Sequence, residues 1–237
     1  MKPLTLITHH YNGHDRVITL LDHIASFAEE IRSKLSIIVV DDYSDESQAL
    51  PQYDLDITQY RVLTDIPWNQ CGARNLGVFM SETPWALLFD VDQHPRERGI
   101  KYILHHYEQL QPDTMYSFRV SNYLDANDHQ ALEVHPNTLL VPVTNFKEFG
   151  MYDEDFAGNY GYEDLYLPVM WEMRGGKRIV LGPPIPRGPR FIRSGAIPAS
   201  RSSPREFEIT MQRSRCAHHR LTSTTAATAA ASGGGKA

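Results

Sequence analysis

Cysteine is scarce in this chain of 237 residues, which contains only Cys71 and Cys216. The two lie far apart and form neither a disulfide framework nor the closely spaced pairs that bind zinc. Such usage is typical of a reducing compartment. We therefore expect the protein to be cytoplasmic.

Long apolar runs are also missing from the sequence. No stretch approaches the roughly 18 to 20 uninterrupted apolar residues that a membrane-spanning helix needs, and the apolar run near Met1 is too short for a secretory signal. The composition, 41% apolar and 22% charged, instead predicts an ordinary globular domain with a sizeable core. We expect no membrane span.

Acidic and basic residues are unevenly distributed along the chain. Residues 183–237 carry nine Lys and Arg against two Glu, whereas residues 1–182 carry 14 against 27. The basic segment is rich in Pro, Arg and Ser and ends in low-complexity sequence, so it cannot bury enough apolar surface to offset its chain entropy. We expect a folded domain over residues 1–182 and a largely disordered tail over residues 183–237.

Short β-rich apolar runs alternate with longer helical patterns over the first 120 residues, which is typical of βαβ units and a largely parallel sheet. The predicted strands are 4–9, 36–42, 60–65, 85–91, 114–124 and 137–143. The predicted helices are 16–35, 70–82, 96–110 and one that stops at Gly175 and Gly176. A hairpin connection is predicted at 125–130. The fold class is therefore α/β, with a nucleotide-binding sheet flanked by helices and a second half on the acceptor side.

Carboxylates follow two of the predicted strands. Asp41 and Asp42 end the segment SIIVVDD, and Asp90 and Asp92 follow WALLF. In open α/β sheets, ligands bind at the carboxyl ends of the strands, and two carboxylates spaced in this way can both face one hard cation that also binds substrate phosphates. Aspartate is also common in turns for local reasons, so the spacing alone leaves both interpretations open.

Five motifs in a fixed order resemble a known family. They are ITHHYNG, IIVVDDYSDES, GARNLG, LLFDVDQHP and GYEDLYLPVMWEMRGGK, between about residues 3 and 181. Their order and spacing are similar to those of family 2 type glycosyltransferases with the GT-A fold. The resemblance implies a metal-dependent, inverting hexosyltransferase that moves a sugar from a nucleotide donor, with UDP favoured, to a hydroxyl acceptor such as a glycan.

On the donor side, the resemblance implies that three residues after the first strand border the nucleotide base: Thr8, His9 and Tyr11. Asp41 or Asp42 would accept a hydrogen bond from a base N–H, which uracil offers. In GARNLG, the guanidinium of Arg74 would donate hydrogen bonds to the diphosphate or to a base carbonyl, or Arg74 would instead pair with a nearby acid. Asn75 would tie down the adjacent loop.

The triplet Asp90-Val91-Asp92 matches the DxD motif of the family, whose cation bridges to the donor diphosphate. The resemblance thus implies Mn²⁺ or Mg²⁺ at Asp90 and Asp92, with Asp90 also on the donor side. A Lewis acid there stabilises the negative charge that grows on the leaving nucleoside diphosphate. His94 could add a ligand, although a lone histidine in a turn is more often structural.

The segment GNYGYEDLYL resembles the Gly-rich, aromatic segment that supplies the catalytic base in galactosyltransferases and chondroitin polymerases. The resemblance implies that Asp164 takes the proton of the acceptor hydroxyl and that Glu163 binds an acceptor hydroxyl, although the two roles could be exchanged. Both carboxylates also suit the first turn of a helix for structural reasons. Tyr160, Tyr162 and Trp171 could stack on acceptor sugar rings, but aromatic residues spaced in this way are more often part of a core, which is the interpretation favoured for Trp171 within its helix.

Two family features are missing from their usual places. The sequence contains no Gln-x-x-Arg-Trp segment after the predicted catalytic helix, which argues against a processive membrane synthase. Relatives near the galactosyltransferases often supply a third metal ligand from a downstream histidine, and the histidines after His135 are His218 and His219 in the tail.

Two other functions compete with this interpretation. Nucleotidyltransferases use the same fold and metal pair, but they usually carry a Gly-rich, basic loop after the first strand, and THHYNGHDR contains one glycine. A non-catalytic scaffold could bind nucleic acid or an acidic partner through its basic tail. Eight tail arginines without interleaved aromatic residues are a weak signal, so we do not expect nucleic acid as a partner.

Overall fold

A seven-stranded sheet forms the centre of the protein in a computed structural model that describes residues 1–124 and 130–181, with the backbone only for residues 119–124 and 130–133. The strands are β1 Leu4–His10, β2 Leu35–Asp41, β3 Ile57–Arg61, β4 Trp85–Leu88, β5 Thr114–Leu124, β6 Gln130–Pro142 and β7 Lys177–Leu181. Their order is β3-β2-β1-β4-β6-β5-β7. The predicted tail and most of the predicted hairpin connection lie outside the described residues.

The sheet combines a parallel half with an antiparallel insertion. Strands β3, β2, β1 and β4 are parallel neighbours, and Ile7 of β1 pairs with Ile38 on one side and Leu88 on the other. Strand β6 runs antiparallel to both β4 and β5, whereas β7 is parallel to β5. The predicted α/β fold class is confirmed, and β1, β2 and β4 end at one edge of the sheet.

Helices cover both faces of the sheet. They are α1 His14–Ala25, α2 Glu29–Arg32, α3 Gln70–Phe79, α4 Glu97–His106, α5 Val143–Glu148 and α6 Glu163–Met173, with 3₁₀ turns at Tyr107–Gln109 and Glu154–Phe156. Within the described ranges, none of these helices combines the length and apolarity that crossing a bilayer requires.

The single helix predicted over residues 16–35 is wrong, because the chain breaks between α1 and α2. Ala28 has an extended backbone, with φ −57° and ψ 141°. Its N–H donates to Oε1 of Glu97 at 2.6 Å, on the first turn of α4. Phe27 turns into the core and is 4% exposed. A contact from a distant helix therefore decides where this helix ends.

Two apolar clusters fill the spaces above and below the sheet. Successive residues of a strand point to opposite faces, so Leu6 joins a cluster with α1 and α4, and Ile7 joins a second cluster with α3, α5 and α6. Burial on both faces explains the continuous apolar run of β2. The sheet is thus held rigidly, and its loops can carry a site.

Strand β7 follows Gly176 and was not predicted from the sequence. Its sequence, KRIVL, begins with two basic residues and does not alternate between apolar and polar residues. Its first three residues are exposed. It is held by β5, because Lys177 N donates to Asp113 O at 2.7 Å and Lys177 Nζ pairs with Asp113 Oδ2 at 2.6 Å. Pairing with a neighbour, rather than local sequence, makes this segment a strand.

Gly77 allows α3 to approach β1, and its replacement tests that packing. A Cβ on Gly77 would overlap Cγ2 of Ile7. We expect Gly77→Ala to lower the free energy of unfolding, measured in urea, by about 1–3 kcal/mol, the usual cost of overpacking. Gly99 of α4 has open space around its Cα, so Gly99→Ala should raise stability by about 0.5–1 kcal/mol. Equal effects of the two replacements would contradict the close contact.

Candidate active site

The loops after β1, β2 and β4 meet at the carboxyl edge of the sheet. Asp42 N donates to His10 O at 2.8 Å, and Phe89 N donates to Ile7 O at 3.2 Å. These bonds continue the strand pairing past the ends of β2 and β4. They place Asp42 on one side of β1 and Asp90 on the other.

Asp41 is used to fix the turn after β2. Its side chain is 1% exposed, accepts Ser44 N at 2.8 Å through Oδ1, and pairs closely with Arg61 through Oδ2. Burial raises the pKa of Asp41, but the hydrogen bonds from Ser44 and the charge of Arg61 outweigh it, so the pKa lies below its usual value. Both carboxylate oxygens are therefore engaged within the fold.

Asp42 is the more available of the two predicted base-binding carboxylates. Its Oδ1 accepts Asn69 Nδ2 at 2.9 Å, and burial raises its pKa. Asn69 directly precedes α3, so this bond joins the β2 loop to the start of that helix. We therefore favour Asp42 over Asp41 for a ligand.

The three predicted base-bordering residues differ in accessibility. Thr8 is 1% exposed, whereas Tyr11 is 57% exposed. Burial lowers the pKa of His9 to about 3, and the charges of Arg74 and His10 act in the same direction, so the ring is neutral. Thr8 Oγ1 and His9 Nδ1 are buried without a hydrogen-bond partner in the described part of the chain. Of the three, Tyr11 is the side chain that lies open at the surface.

Arg74 is a buried residue that holds Asp90. It is 1% exposed, and its Nη2 forms a close ion pair with Asp90 Oδ1. Its Nη1 donates to Tyr152 OH at 2.9 Å and to Asn137 Oδ1 at 3.3 Å. Of the two predictions for Arg74, this geometry favours pairing with a nearby acid over contact with the diphosphate, since Arg74 orients a carboxylate of the Asp90-Val91-Asp92 triplet.

Asp92 and His94 lie in the turn that follows Asp90. Gln93 N donates to Asp90 O at 2.8 Å, which closes the turn and leaves Asp92 exposed. The His94 ring stacks on His23 of α1, with centroids 5.3 Å apart and planes 22° apart. Burial lowers the pKa of His94, and the neighbouring His23 lowers it further. We assign His94 to packing against α1.

The side chains available in this turn decide how a cation could bind there. No three His, Cys, Asp or Glu side chains come together to hold a metal within residues 1–124 and 130–181. Mn²⁺ and Mg²⁺ are commonly bound by one or two carboxylates, with substrate phosphates and water completing the shell. Asp90 and Asp92 fit a cation that arrives with a diphosphate.

The predicted catalytic segment ends a glycine-containing loop and begins α6. Gly158, Gly161 and Tyr162 have positive φ values of 95°, 92° and 75°. Glu163 and Asp164 occupy the first helical turn, where the helix dipole favours negative charge. Pro168 has no N–H to donate to the carbonyl of Asp164, so this turn lacks one backbone hydrogen bond.

Glu163 is held by the first residue of α3. Its Oε1 accepts Gln70 Nε2 at 2.9 Å, and its Oε2 is buried without a hydrogen-bond partner in the described residues. Burial raises the pKa of Glu163 above its usual value, and the nearby charge of Asp164 acts in the same direction. The unpartnered oxygen is positioned to accept a hydrogen bond from a ligand.

A polar chain joins this segment to the DxD motif. Gln70 Nε2 also lies 3.2 Å from Asn137 Oδ1, which accepts Arg74 Nη1 as well. The sequence of contacts Glu163, Gln70, Asn137, Arg74, Asp90 is therefore continuous. Two motifs that are far apart in sequence are fixed relative to each other by side chains of α3 and β6.

His135 of β6 is a site residue that the sequence analysis missed. The pKa of His135 lies below its usual value, because burial and the charge of Arg74 lower it more than the charges of Asp90, Asp92 and Asp164 raise it. Its Nδ1 accepts Asn137 N at 3.2 Å, which leaves the proton of the neutral ring on Nε2. The segment EVHPN lies outside the five family motifs, so the sequence gives no signal for this histidine.

Asn75 ties down a loop, as predicted. Its Nδ2 donates to Tyr152 O at 2.9 Å and to Glu154 Oε1 at 2.8 Å, and its Oδ1 accepts Tyr152 N at 3.0 Å. The loop that is held in this way carries the Tyr152 hydroxyl to Arg74. Asn75 thus supports the orientation of Asp90 indirectly.

The two aromatic residues predicted to contact the acceptor lie in opposite environments. Tyr162 is 65% exposed, whereas Trp171 is 2% exposed. The Trp171 indole donates to Lys177 O at 2.8 Å, packs on Phe149 with centroids 4.7 Å apart and covers Gly176. An enclosed ring cannot stack on a sugar, so Trp171 is not an acceptor contact and belongs to the core, which is the interpretation favoured from the sequence.

Solved structures of three proteins share this fold. TarS 1-349 of S. aureus in complex with UDP-GlcNAc has a TM-score of 0.58 and 15% identity, and the match covers 76% of this chain and 56% of that chain. GalNAc-T7 with UDP, GalNAc and Mn²⁺ has a TM-score of 0.57 and 11% identity, with coverage of 76% and 42%. The mannosyltransferase PcManGT of Pyrobaculum calidifontis in complex with GDP-Man and Mn²⁺ has a TM-score of 0.53 and 16% identity, with coverage of 75% and 54%. The chain thus spans about half the length of these proteins. No curated protein sequence matches it significantly.

The family model for glycosyl transferase family 2 matches residues 5–162. The match runs from β1 through the turn that carries Asp90 and Asp92 to Tyr162, directly before Glu163 and Asp164. This chain belongs to glycosyl transferase family 2 and has the GT-A fold.

Proposed function

We propose that the protein is a metal-dependent, inverting glycosyltransferase that moves a sugar from a UDP donor to a hydroxyl acceptor. The observation that carries the proposal is the chain of side-chain contacts Glu163, Gln70, Asn137, Arg74 and Asp90. Asp90 and Asp92 come from the turn after β4, and Glu163 and Asp164 come from the first turn of α6. The chain of contacts supports one site that would contain both a cation-binding pair and a candidate base.

The base of the donor is proposed to bind between Tyr11 and Asp42. Asp42 has one oxygen on Asn69, and its other oxygen can accept the N3–H of uracil. TarS has been solved with UDP-GlcNAc and GalNAc-T7 with UDP, which supports a uridine donor. Guanine also presents a ring N–H, and PcManGT has been solved with GDP-Man, so a GDP-sugar is the second candidate.

The diphosphate is proposed to bind next to Asp90 and Asp92 through a divalent cation. Two of the three solved proteins contain Mn²⁺, which favours Mn²⁺ over Mg²⁺. A cation bound there would act as a Lewis acid and stabilise the charge on the leaving diphosphate. Arg74 keeps one oxygen of Asp90 in place, and the Nε2–H of His135 donates a hydrogen bond to a phosphate oxygen.

Transfer requires one carboxylate to remove a proton from the acceptor. We assign this role to Asp164, because it lies half-buried in the first turn of α6 beside Glu163, whose side chain is already held by Gln70. As the acceptor oxygen forms its bond to the anomeric carbon, its proton passes to Asp164 and the bond between that carbon and the phosphate oxygen breaks. Glu163, which is held by Gln70, orients the acceptor hydroxyl with its second oxygen.

Membership of family 2 favours glycosyl transfer over nucleotidyl transfer. The first strand is followed by the loop Tyr11–Gly13, which is tied to the β2 loop through Asn12 and Asp45 at 2.8 and 2.9 Å and contains no phosphate-binding glycine run. Binding of nucleic acid by the basic tail concerns residues outside the described ranges. The carboxylates after β2 and β4 and at the start of α6 therefore support an enzyme over a non-catalytic scaffold.

Replacement of Asp92 tests the cation site. Asp92 is exposed and contributes little packing, so Asp92→Ala should fold normally yet lose Mn²⁺-dependent binding of UDP in calorimetry. Glu82→Ala is the matched control, because Glu82 is an exposed carboxylate before β4, at the opposite end of that strand. Equal binding of UDP by Asp92→Ala with and without Mn²⁺ would refute the metal role.

Replacement of the two carboxylates of α6 separates their roles. Asp164→Asn should bind the UDP-sugar normally but transfer it about 10² to 10⁴ times more slowly, the usual cost of losing a general base. Glu163→Gln should mainly raise the KM for the acceptor. A fully active Asp164→Asn beside an inactive Glu163→Gln would show that the roles are reversed, and two active variants would exclude this segment from catalysis.

Replacement of Tyr152 tests whether the buried network orients Asp90. Tyr152→Phe removes a partner of Arg74 Nη1 and should lower the free energy of unfolding by about 1–3 kcal/mol. It should also weaken Mn²⁺-dependent UDP binding by about 10- to 100-fold, as loss of a group behind a metal ligand does. Tyr116 is also buried and its OH accepts Gln111 N, so Tyr116→Phe should reduce stability alone. Unchanged UDP affinity in Tyr152→Phe would argue against the positioning role.

A further inference from the structure

Two large aromatic side chains are exposed next to the catalytic segment. Trp68, in the loop before α3, is 64% exposed, and Tyr160, in the loop before α6, is 79% exposed. Their ring centroids are 4.8 Å apart and their planes meet at 63°. An edge-to-face pair leaves ring faces open, and paired aromatic residues exposed to water are typical of binding surfaces.

The pair is held in place by backbone contacts. Gly158 N donates to Pro67 O at 2.7 Å, which joins the two loops beside the rings. Trp68 has a φ of 52°, a left-handed conformation that is unfavourable for a bulky side chain and is found mainly where surrounding contacts impose it. The exposed indole is therefore presented by the fold and is not a loose surface residue.

The residues after Trp68 place it between the two halves of the site. Asn69 donates to Asp42 on the donor side, and Gln70 donates to Glu163 of the catalytic segment. In the loop before α6, Tyr160 lies three residues before Glu163, and the exposed Tyr162 lies between them. A molecule that lies on the rings of Trp68 and Tyr160 would therefore extend toward the carboxylates of α6.

We propose that Trp68 and Tyr160 form a stacking subsite for a neutral saccharide acceptor. This inference rests on the proposed glycosyltransferase function and adds the chemical class of the acceptor. The C–H face of a pyranose ring is apolar and packs on an aromatic face, while its hydroxyl groups reach the neighbouring carboxylates. Asp65 lies three residues before Trp68, and Glu163 and Asp164 lie three and four residues after Tyr160, so an anionic sugar is disfavoured.

The tryptophan content of the chain gives a direct test. The sequence contains three tryptophans, and Trp85 and Trp171 are 5% and 2% exposed. Acrylamide should therefore quench mainly the fluorescence of Trp68. We expect neutral oligosaccharides, tested as chitotriose, cellotriose, maltotriose and lactose, to include at least one that protects this fluorescence, and trigalacturonic acid, an anionic probe, to protect less. Protection is measured with and without UDP and Mn²⁺.

Variants identify the residues that produce the protection. Trp68→Ala should remove the quenchable signal, and Tyr160→Ala should keep the signal but bind the protecting saccharide at least about tenfold more weakly, the effect of losing roughly one stacking contact. Tyr102 of α4 is also exposed, at 55%, so Tyr102→Ala is the matched control and should bind as the wild type does. Trp68→Ala should still bind UDP with Mn²⁺ in calorimetry.

Four results would overturn the subsite. They are no protection by any neutral probe, stronger protection by the anionic probe, protection by UDP and Mn²⁺ alone, and unchanged saccharide affinity in Tyr160→Ala. The third would assign the rings to the nucleotide. Failure of the proposed function would be seen separately, as wild-type protein that binds no nucleotide in calorimetry while a saccharide still protects Trp68.

Discussion

The buried charge of Arg74 is the constraint on which the site depends. A buried guanidinium costs several kcal/mol unless it is paired and hydrogen-bonded, and Arg74 is 1% exposed. Its partners are Asp90 after β4, Tyr152 in the loop before α6 and Asn137 in β6. Satisfying this one charge therefore fixes three separate parts of the chain around the end of α3. Those are the parts that carry Asp90, the loop that leads into α6 and His135.

Residues near the start of α3 extend this arrangement to two further carboxylates. Gln70 holds Glu163, and Asn69 holds Asp42, so the carboxylates proposed to contact the acceptor and the donor are connected through the start of one helix. Preorganised charges of this kind can stabilise a transition state without reorganising during the reaction. Trp68 directly precedes these two residues, which explains how an exposed indole is kept next to the chemistry. The proposed donor, cation, base and acceptor sites thus share a single rigid support.

Several elements could be predicted from the sequence because their signals are local. Strand β5 was predicted with the bounds that the structure has, and β1 and β2 were predicted to within one residue at each end, since their apolar runs are bounded by polar residues. The helix over 16–35 was wrong because Glu97 of α4 satisfies the N–H of Ala28. Strand β7 was missed because its pairing with Asp113 and β5 is not encoded in the period of KRIVL. Local patterns predict where an element exists, and contacts decide where it ends.

By itself, the sequence determined the family, the α/β fold class and the placement of aspartates at the ends of β2 and β4, because motif order and hydrophobic period are properties of the chain. Only the tertiary structure decided what these side chains do. It paired Arg74 with Asp90, engaged both oxygens of Asp41 within the fold, enclosed Trp171 in the core and placed His135 next to Asn137, a partner of Arg74. The physical reason is that the energy of a buried charge, a hydrogen bond or a ring contact depends on partners that are distant in sequence and become neighbours only when the sheet has formed.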